Sequence, residues 1–177
     1  MKYYFGIAII LLLSACQPTA NKSKDVKDST SEKTVNANVT DIHFKDSKVE
    51  NIYVNYISLK DNLVNSNLVD AKSSAKLLAV ALKGYAGCEN TSLTANKIEN
   101  ATDIVAQRKE FTALSTDVIA LFKHASLSKG TIYVQHCPMA NKGDGGDWLS
   151  SQKKIQNPYY GKEMMECGAV IEEIKAK

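Results

Sequence analysis

Sulfur is crowded into one end of this chain. Two of its four cysteines, three of its four methionines and its single tryptophan fall in Tyr133-Val134-Gln135-His136-Cys137-Pro138-Met139, Gly146-Asp147-Trp148-Leu149-Ser150 and Met164-Met165-Glu166-Cys167-Gly168. Thiolate and thioether sulfur suit Cu(I) and similar soft ions, and imidazole is accepted by copper and zinc alike. Pro138 pushes Cys137 towards an extended conformation, in which alternate residues share a face. Cys137 and Met139 would then point one way and His136 the other. Met165 and Cys167 stand in the same relation if their segment is extended, and Met164 and Cys167 share a face if it is helical.

Closing the two segments as a β-hairpin gives a two- to four-coordinate sulfur site for copper(I) or silver(I). Its ligands are drawn from Cys137, Met139, Cys167, Met164 and Met165, with His136 joining if the turn rotates it inward. The thiols must lose their protons to bind, so affinity should fall at low pH. The main rival is a Cys137–Cys167 disulfide, which would close a loop of about 30 residues and contribute roughly 3–4 kcal/mol on the chain-entropy model. A third reading makes the methionines fillers of irregular core gaps. A staple does not need thioethers, and their coincidence with both cysteines favours metal. No Cys-x-x-Cys pair supports a zinc ribbon, and no Gly-x-Ser-x-Gly elbow is present. A Cys137 nucleophile served by His136 fails because neighbours on a strand face opposite ways. No catalysis is expected.

These residues need a scaffold, and the preceding sequence reads as helical. Val49, Ile52, Tyr56, Leu59 and Leu63 recur at helical spacing over a first helix from Lys48 to about Asn65. A second opens near Asp70, taken as its cap, with Ala71, Ala75, Leu78, Ala79 and Leu82 on one face and stops at Gly84 and Gly87. A third helical region runs from Thr91-Ser92 to about His124. Its second half carries Ile104, Phe111 and Val118 at seven-residue spacing, out of phase with Ala95, Ile98 and Ala101, which predicts a kink or break near Asn100 to Thr102. Gln107-Arg108-Lys109-Glu110 reads as a solvated face and His124 as a helix-terminal residue. Cys88 falls in a loop after Gly87, and His43 takes a surface or packing role.

Thr131 to Val134 is a strand by its β-branched and aromatic content, and Ala169 to Ile171 is its expected partner. Asn141 to Gly146 is a Gly-rich loop and Asn157-Pro158-Tyr159-Tyr160-Gly161 a turn. Trp148 with Tyr159 and Tyr160 would form a small core beneath. The expected fold class is mainly α: a three- or four-helix bundle with a C-terminal β-hairpin bearing the Cys/Met/His cluster.

The N-terminus reads as an export signal. Lys2 precedes the apolar run Tyr3 to Leu13, which is shorter than the ~20 residues a membrane-spanning helix needs. Leu13-Ser14-Ala15-Cys16 resembles the lipobox of bacterial lipoproteins. That resemblance implies cleavage after residue 15 and acylation of Cys16, with membrane lipid as partner. Gln17 in place of Asp removes the inner-membrane retention signal, so the chain is expected in the cell envelope on the outer membrane. Residues 16–46 are rich in Asn, Lys, Ser, Asp and Thr and form a tether; residues 47–177 form the domain. The full chain has 22 basic and 19 acidic side chains, a net +3, and losing Lys2 brings it nearer neutral. No basic cluster interleaved with aromatics points to nucleic acid.

Taken together, Tyr133 to Ala140, Asp147-Trp148-Leu149-Ser150, Asn157 to Gly161, and Met164 with Cys167-Gly168 resemble a bacterial family of exported domains of unknown function. That family is found alone on lipoproteins and appended to periplasmic adaptor subunits of heavy-metal efflux pumps. Leu59 to Val64, Gln107 to Phe111 and Leu114-Ser115 are similar too. The resemblance spans roughly Val49 to Ile174 and implies binding of copper or silver through Cys137, Met139, Cys167, Met164 and His136, with an efflux adaptor as partner. Met165 and Cys88 depart from the family's pattern, and Cys88 leaves another disulfide pairing open.

Overall fold

The computed structural model describes residues 41–176. The export signal, Cys16 and the tether as far as residue 40 lie outside the described residues. The folded part starts ahead of the boundary placed at residue 46. Ile42 and Phe44 are buried, and strand β1 (His43–Phe44) pairs antiparallel with β2 (Leu127–Lys129).

Four helices follow β1: α1 (Ser47–Val64), α2 (Leu68–Lys83), α3 (Glu89–Asn100) and α4 (Ile104–His124). Three of the four starts are legible in their chemistry, while α3 begins after Cys88 with no side-chain cap. The Asp46 carboxylate accepts from Lys48 N at 2.8 Å and opens α1, and Asp103 does the same for Ala106 N at 2.8 Å to open α4. The cap of α2 is Asn67 rather than Asp70: Asn67 Oδ1 accepts from Asp70 N at 3.2 Å, while its Nδ2 donates to the Asp70 carboxylate at 2.6 Å. The long third region is two helices. Ala101 at their break is extended, and Asp103 starts the next helix before its apolar stripe begins.

Buried Ala71, Ala75 and Ala79 bring α2 close to its neighbours. Ser74 Oγ meets Ser58 Oγ of α1 at 2.9 Å, and Ser92 Oγ of α3 donates to Ala79 O at 2.8 Å. Phe44, Tyr53 and Phe122 stack edgewise at one end of the bundle, with centroids 5.2–5.4 Å apart. Gln107 belongs to this interior rather than to a solvated face: it is fully buried, and its Nε2 donates to Leu68 O at 3.2 Å and to Ile98 O at 3.4 Å.

The C-terminal part is a three-stranded antiparallel sheet and not a two-stranded hairpin. β3 (Thr131–Cys137) is central, between β4 (Gly146–Ser150) and β5 (Ala169–Lys175). β4 was hidden because it follows the Gly-rich loop so closely. Asn141 and Lys142 take left-handed backbone angles there, φ 53° and 65°, and Asn141 Nδ2 donates to Gly145 O at 2.8 Å to hold the reversal. Buried Gln135 closes the loop after β4 by donating to Gln152 O at 2.8 Å.

Sheet and bundle share one core. Trp148 of β4 meets Tyr159 at 6.0 Å between centroids, Tyr159 meets Phe111 of α4 at 5.8 Å, and Phe111 stacks on Tyr56 of α1 at 5.5 Å. Tyr56 OH completes the junction: it contacts Ser115 Oγ at 2.8 Å and accepts from Leu149 N at 3.2 Å. Replacing Phe111 by Ala should lower the unfolding free energy by about 3–5 kcal/mol. Val105→Ala, on the exposed side of the same helix, should change it by less than about 0.5 kcal/mol. Urea unfolding of both variants measures the contrast.

Candidate thiol site

The strand register brings the two cysteines of the sulfur-rich end together. β3 ends at Cys137, which faces Gly146 of β4, and β5 begins at Ala169 opposite His136, so Cys167 arrives beside Cys137. Gly168 makes the approach possible. Its φ is 137°, and a Cβ there would stand 2.6 Å from His136 O and 3.1 Å from the Trp148 ring. The two sulfurs lie 2.7 Å apart, closer than unbonded sulfur atoms pack, with Cys137 buried and Cys167 partly open to solvent. The Cys137 thiol and loss of water together push Cys167 above the ordinary thiol pKa, opposed in part by the Met139 backbone N–H. In the reduced pair the Cys167 thiolate is thus disfavoured, and exchange of its proton for a metal ion would stabilise it.

A buried asparagine holds the Cys167 segment in place. Asn157 Nδ2 donates to Cys167 O at 2.9 Å and Asn157 N donates to Met165 O at 2.9 Å. Its Oδ1 accepts from Tyr159 N at 2.8 Å and Tyr160 N at 3.3 Å. Tyr160 OH then donates to Met139 O at 2.5 Å, and Tyr159 OH to Asp147 O at 2.9 Å, so one corner fastens both cysteine-bearing segments. Arg108 of α4 ties that corner to the bundle: Nε donates to Pro158 O at 2.8 Å, and Nη2 to Leu63 O at 3.0 Å and Ser66 Oγ at 2.9 Å. Burial lowers the Arg108 pKa from its ordinary value, with Glu163 opposing. Gly161 leaves room for this clamp, since a Cβ there would stand 2.7 Å from Val64 O and 2.8 Å from Arg108 Nη2.

The thioethers are placed differently from the strand picture. Met139 lies beyond the end of β3 with φ −85° and ψ −12°, so alternation stops at Cys137 and Met139 stands 53% exposed. Met164 to Cys167 is a turn, neither extended nor helical, closed by Cys167 N donating to Met164 O at 3.1 Å. Met164 is 37% exposed and Met165 half-buried. Both methionine-bearing loops thus adjoin the cysteine segments, with Met139 and Met164 exposed.

His136 is not brought to the thiols. It lies on the opposite face of β3 from Cys137, where its Nδ1 is 2.6 Å from Asp147 Oδ1 across the strand pair. Among the described residues, no group of three or more His, Cys, Asp or Glu side chains is placed to hold a metal ion. A metal at Cys137 and Cys167 would therefore draw its further ligands from Met139, Met164 or Met165. Cys88 is buried far along the chain, at the start of α3.

Sequence reasoning missed Arg108, Asn157 and Asp147. The sequence Asn157-Pro158-Tyr159-Tyr160-Gly161 announces a turn but not that its first side chain binds Cys167. Asp147 faces His136 only once β4 is recognised as a strand.

The family model of a protein family of unknown function, DUF3347, matches residues 52–130. The match covers most of α1, all of α2, α3 and α4, and β2. It stops before β3, so Cys137, Met139, Met164, Met165 and Cys167 all lie beyond it. No curated protein and no solved structure matches the chain.

Two outcomes test this geometry. Asn157→Leu should destabilise the domain by about 1–3 kcal/mol, by leaving buried backbone groups unpaired, and should slow oxidative closure of Cys137 with Cys167; thermal melts and timed thiol counts measure both. Iodoacetamide labelling of Cys167 in the reduced protein should be slow at neutral pH and climb through the alkaline range, because its thiolate is disfavoured. Fast labelling at neutral pH would contradict the arrangement.

Proposed function

We propose that this protein binds a soft monovalent metal ion of the copper(I) or silver(I) type at Cys137 and Cys167 and holds or passes it on within the cell envelope without catalysis. The carrying observation is the convergence of the two sulfurs at the end of the central strand β3, with Met139 and Met164 exposed on the loops beside them. The donor set fits the ion: two sulfurs able to become thiolates, adjacent thioethers and no carboxylate cluster. Binding releases thiol protons, so the raised Cys167 pKa makes uptake weaken as pH falls. His136, turned to Asp147, is left out of the ligand set. The apolar run Tyr3 to Leu13 followed by Leu13-Ser14-Ala15-Cys16 supports export and lipid attachment at Cys16, and an efflux adaptor is the partner that the sequence resemblance implies.

The same contact favours a second reading, a structural disulfide. Cys137 and Cys167 would together give two electrons and two protons to an incoming protein disulfide, which leaves as two thiols. The bridged form has no thiolate to offer and would act as a staple across the sheet.

A Cu(I) titration of the reduced full chain against a colorimetric chelator separates the two. Uptake should vanish in Cys137→Ser and in Cys167→Ser, and should weaken by about tenfold, or about 1.4 kcal/mol, in the Met139→Leu/Met164→Leu double variant. That variant should unfold within about 0.5 kcal/mol of the parent because both methionines are exposed. Failure of the reduced protein to take up Cu(I), with a Cys137–Cys167 bridge in the isolated form, would establish the staple instead.

A further inference from the structure

The outward face of α2 carries an apolar stripe that no element of the fold covers. Val69 is 70% exposed, Leu77 49% and Val80 68%, and on the wheel of a helix these three share one side with Ser73. Lys72, Lys76 and Lys83 line one flank of that stripe, while the single acid of the helix, Asp70, is engaged by Asn67. Lys76 has only a long contact of 3.7 Å with Glu99. The lysine row lies between this stripe and α3, and beyond it α3 exposes one further apolar residue. Ser92 is bonded to Ala79, so the next residue, Leu93, stands alongside the C-terminal half of α2, and it is 60% exposed. The buried face of α2 is already fully used against α1 and α3 by Ala71, Ala75, Leu78, Ala79 and Leu82. A second apolar face with a cationic margin is the pattern of a helix lying in a membrane interface.

The place of this face in the chain selects the occupant. α1 and α2 run antiparallel, so the end of α2 that bears Leu77, Val80 and Lys83 lies level with the start of α1, where the chain enters the described fold at Asp41 and Ile42. Between Cys16 and Asp41 stand 24 residues of tether composition, with a root-mean-square span of roughly 25–30 Å if flexible. An acylated Cys16 therefore keeps the domain within a few nanometres of lipid, where a weak surface contact is multiplied by effective concentration. Three lysines beside an apolar stripe complement anionic phospholipid headgroups. Among the described residues no helix is long and apolar enough to cross a membrane.

We propose that α2, with Leu93 of α3, is a membrane-docking face that lays the bundle on the phospholipid surface to which Cys16 is anchored. The thiol site is built on β3 and the loop after β4, which carry none of the residues of this face. The inference rests on lipid attachment at Cys16 and is independent of metal binding.

The test uses the full chain purified from cell envelopes and reconstituted through its own N-terminus into vesicles of phosphatidylethanolamine and phosphatidylglycerol. Val80→Trp places a reporter on the face and Val105→Trp a control at an equally exposed position of α4, while native Trp148 stays buried in both. Emission from the Val80→Trp protein should shift to the blue on reconstitution and be quenched by lipids brominated on their acyl chains. Emission from the Val105→Trp protein should do neither, and changing Lys72, Lys76 and Lys83 to Glu should abolish the quenching. Equal behaviour of the two reporters would overturn the proposal. So would a blue shift of Val80→Trp that grows with protein concentration in the absence of vesicles, which would assign the face to a second copy of the chain. Absence of an acyl group on residue 16, read by mass spectrometry, would remove the anchor on which the docking depends.

Discussion

The structure depends on one buried aromatic seam. Tyr56, Phe111, Tyr159 and Trp148 come from α1, α4, the corner after β4 and β4 itself, and their rings pack in series from the bundle into the sheet. A small antiparallel sheet gains stability by packing a hydrophobic face against helices. The seam supplies that burial, and Tyr56 OH fixes the register by accepting from the Leu149 backbone while contacting Ser115. Burial disfavours ionisation of Tyr56 and Tyr159, raising both well above the ordinary phenol pKa, so the seam stays neutral across the physiological range.

From that seam the thiol site follows by short steps. Tyr159 in the core sets the corner, Asn157 at the start of the corner grips the Cys167 and Met165 backbones, and Tyr160 at its end grips Met139. Arg108 ties the same corner to α4 and to the end of α1. The two cysteines, 30 positions apart, thus meet because three loops are fastened to one rigid turn. Loops that carry exposed thioethers but have pinned backbones combine open ligands with little ordering entropy left to lose on binding.

The helices were legible because their burial is periodic and their caps are local. Val49, Ile52, Tyr56, Leu59 and Leu63 are all buried as their spacing implied, and the predicted break near Asn100 falls at Ala101. The pairing of Cys137 with Cys167 was legible too, since both stand at the ends of segments that read as strands. What could not be read depended on contacts distant in sequence. The solvated reading of Gln107-Arg108 failed because both side chains turn inward to backbone carbonyls of other elements, which leave no periodic mark. His136 could be placed opposite Cys137 from strand alternation, but its partner Asp147 required β4, a strand of five residues entered directly from glycines. Met139 was misplaced because alternation was carried two residues past the end of its strand.

X-ray absorption at the copper edge of the Cu(I)-loaded, reduced protein tests the central claim most directly, since it counts the donor types around the metal. A first shell of sulfur alone, reduced in number by Met139→Leu or Met164→Leu and unchanged by His136→Ala, is the expected result. An imidazole scattering signature that disappears in His136→Ala would place the metal on the other face of β3 and contradict the account.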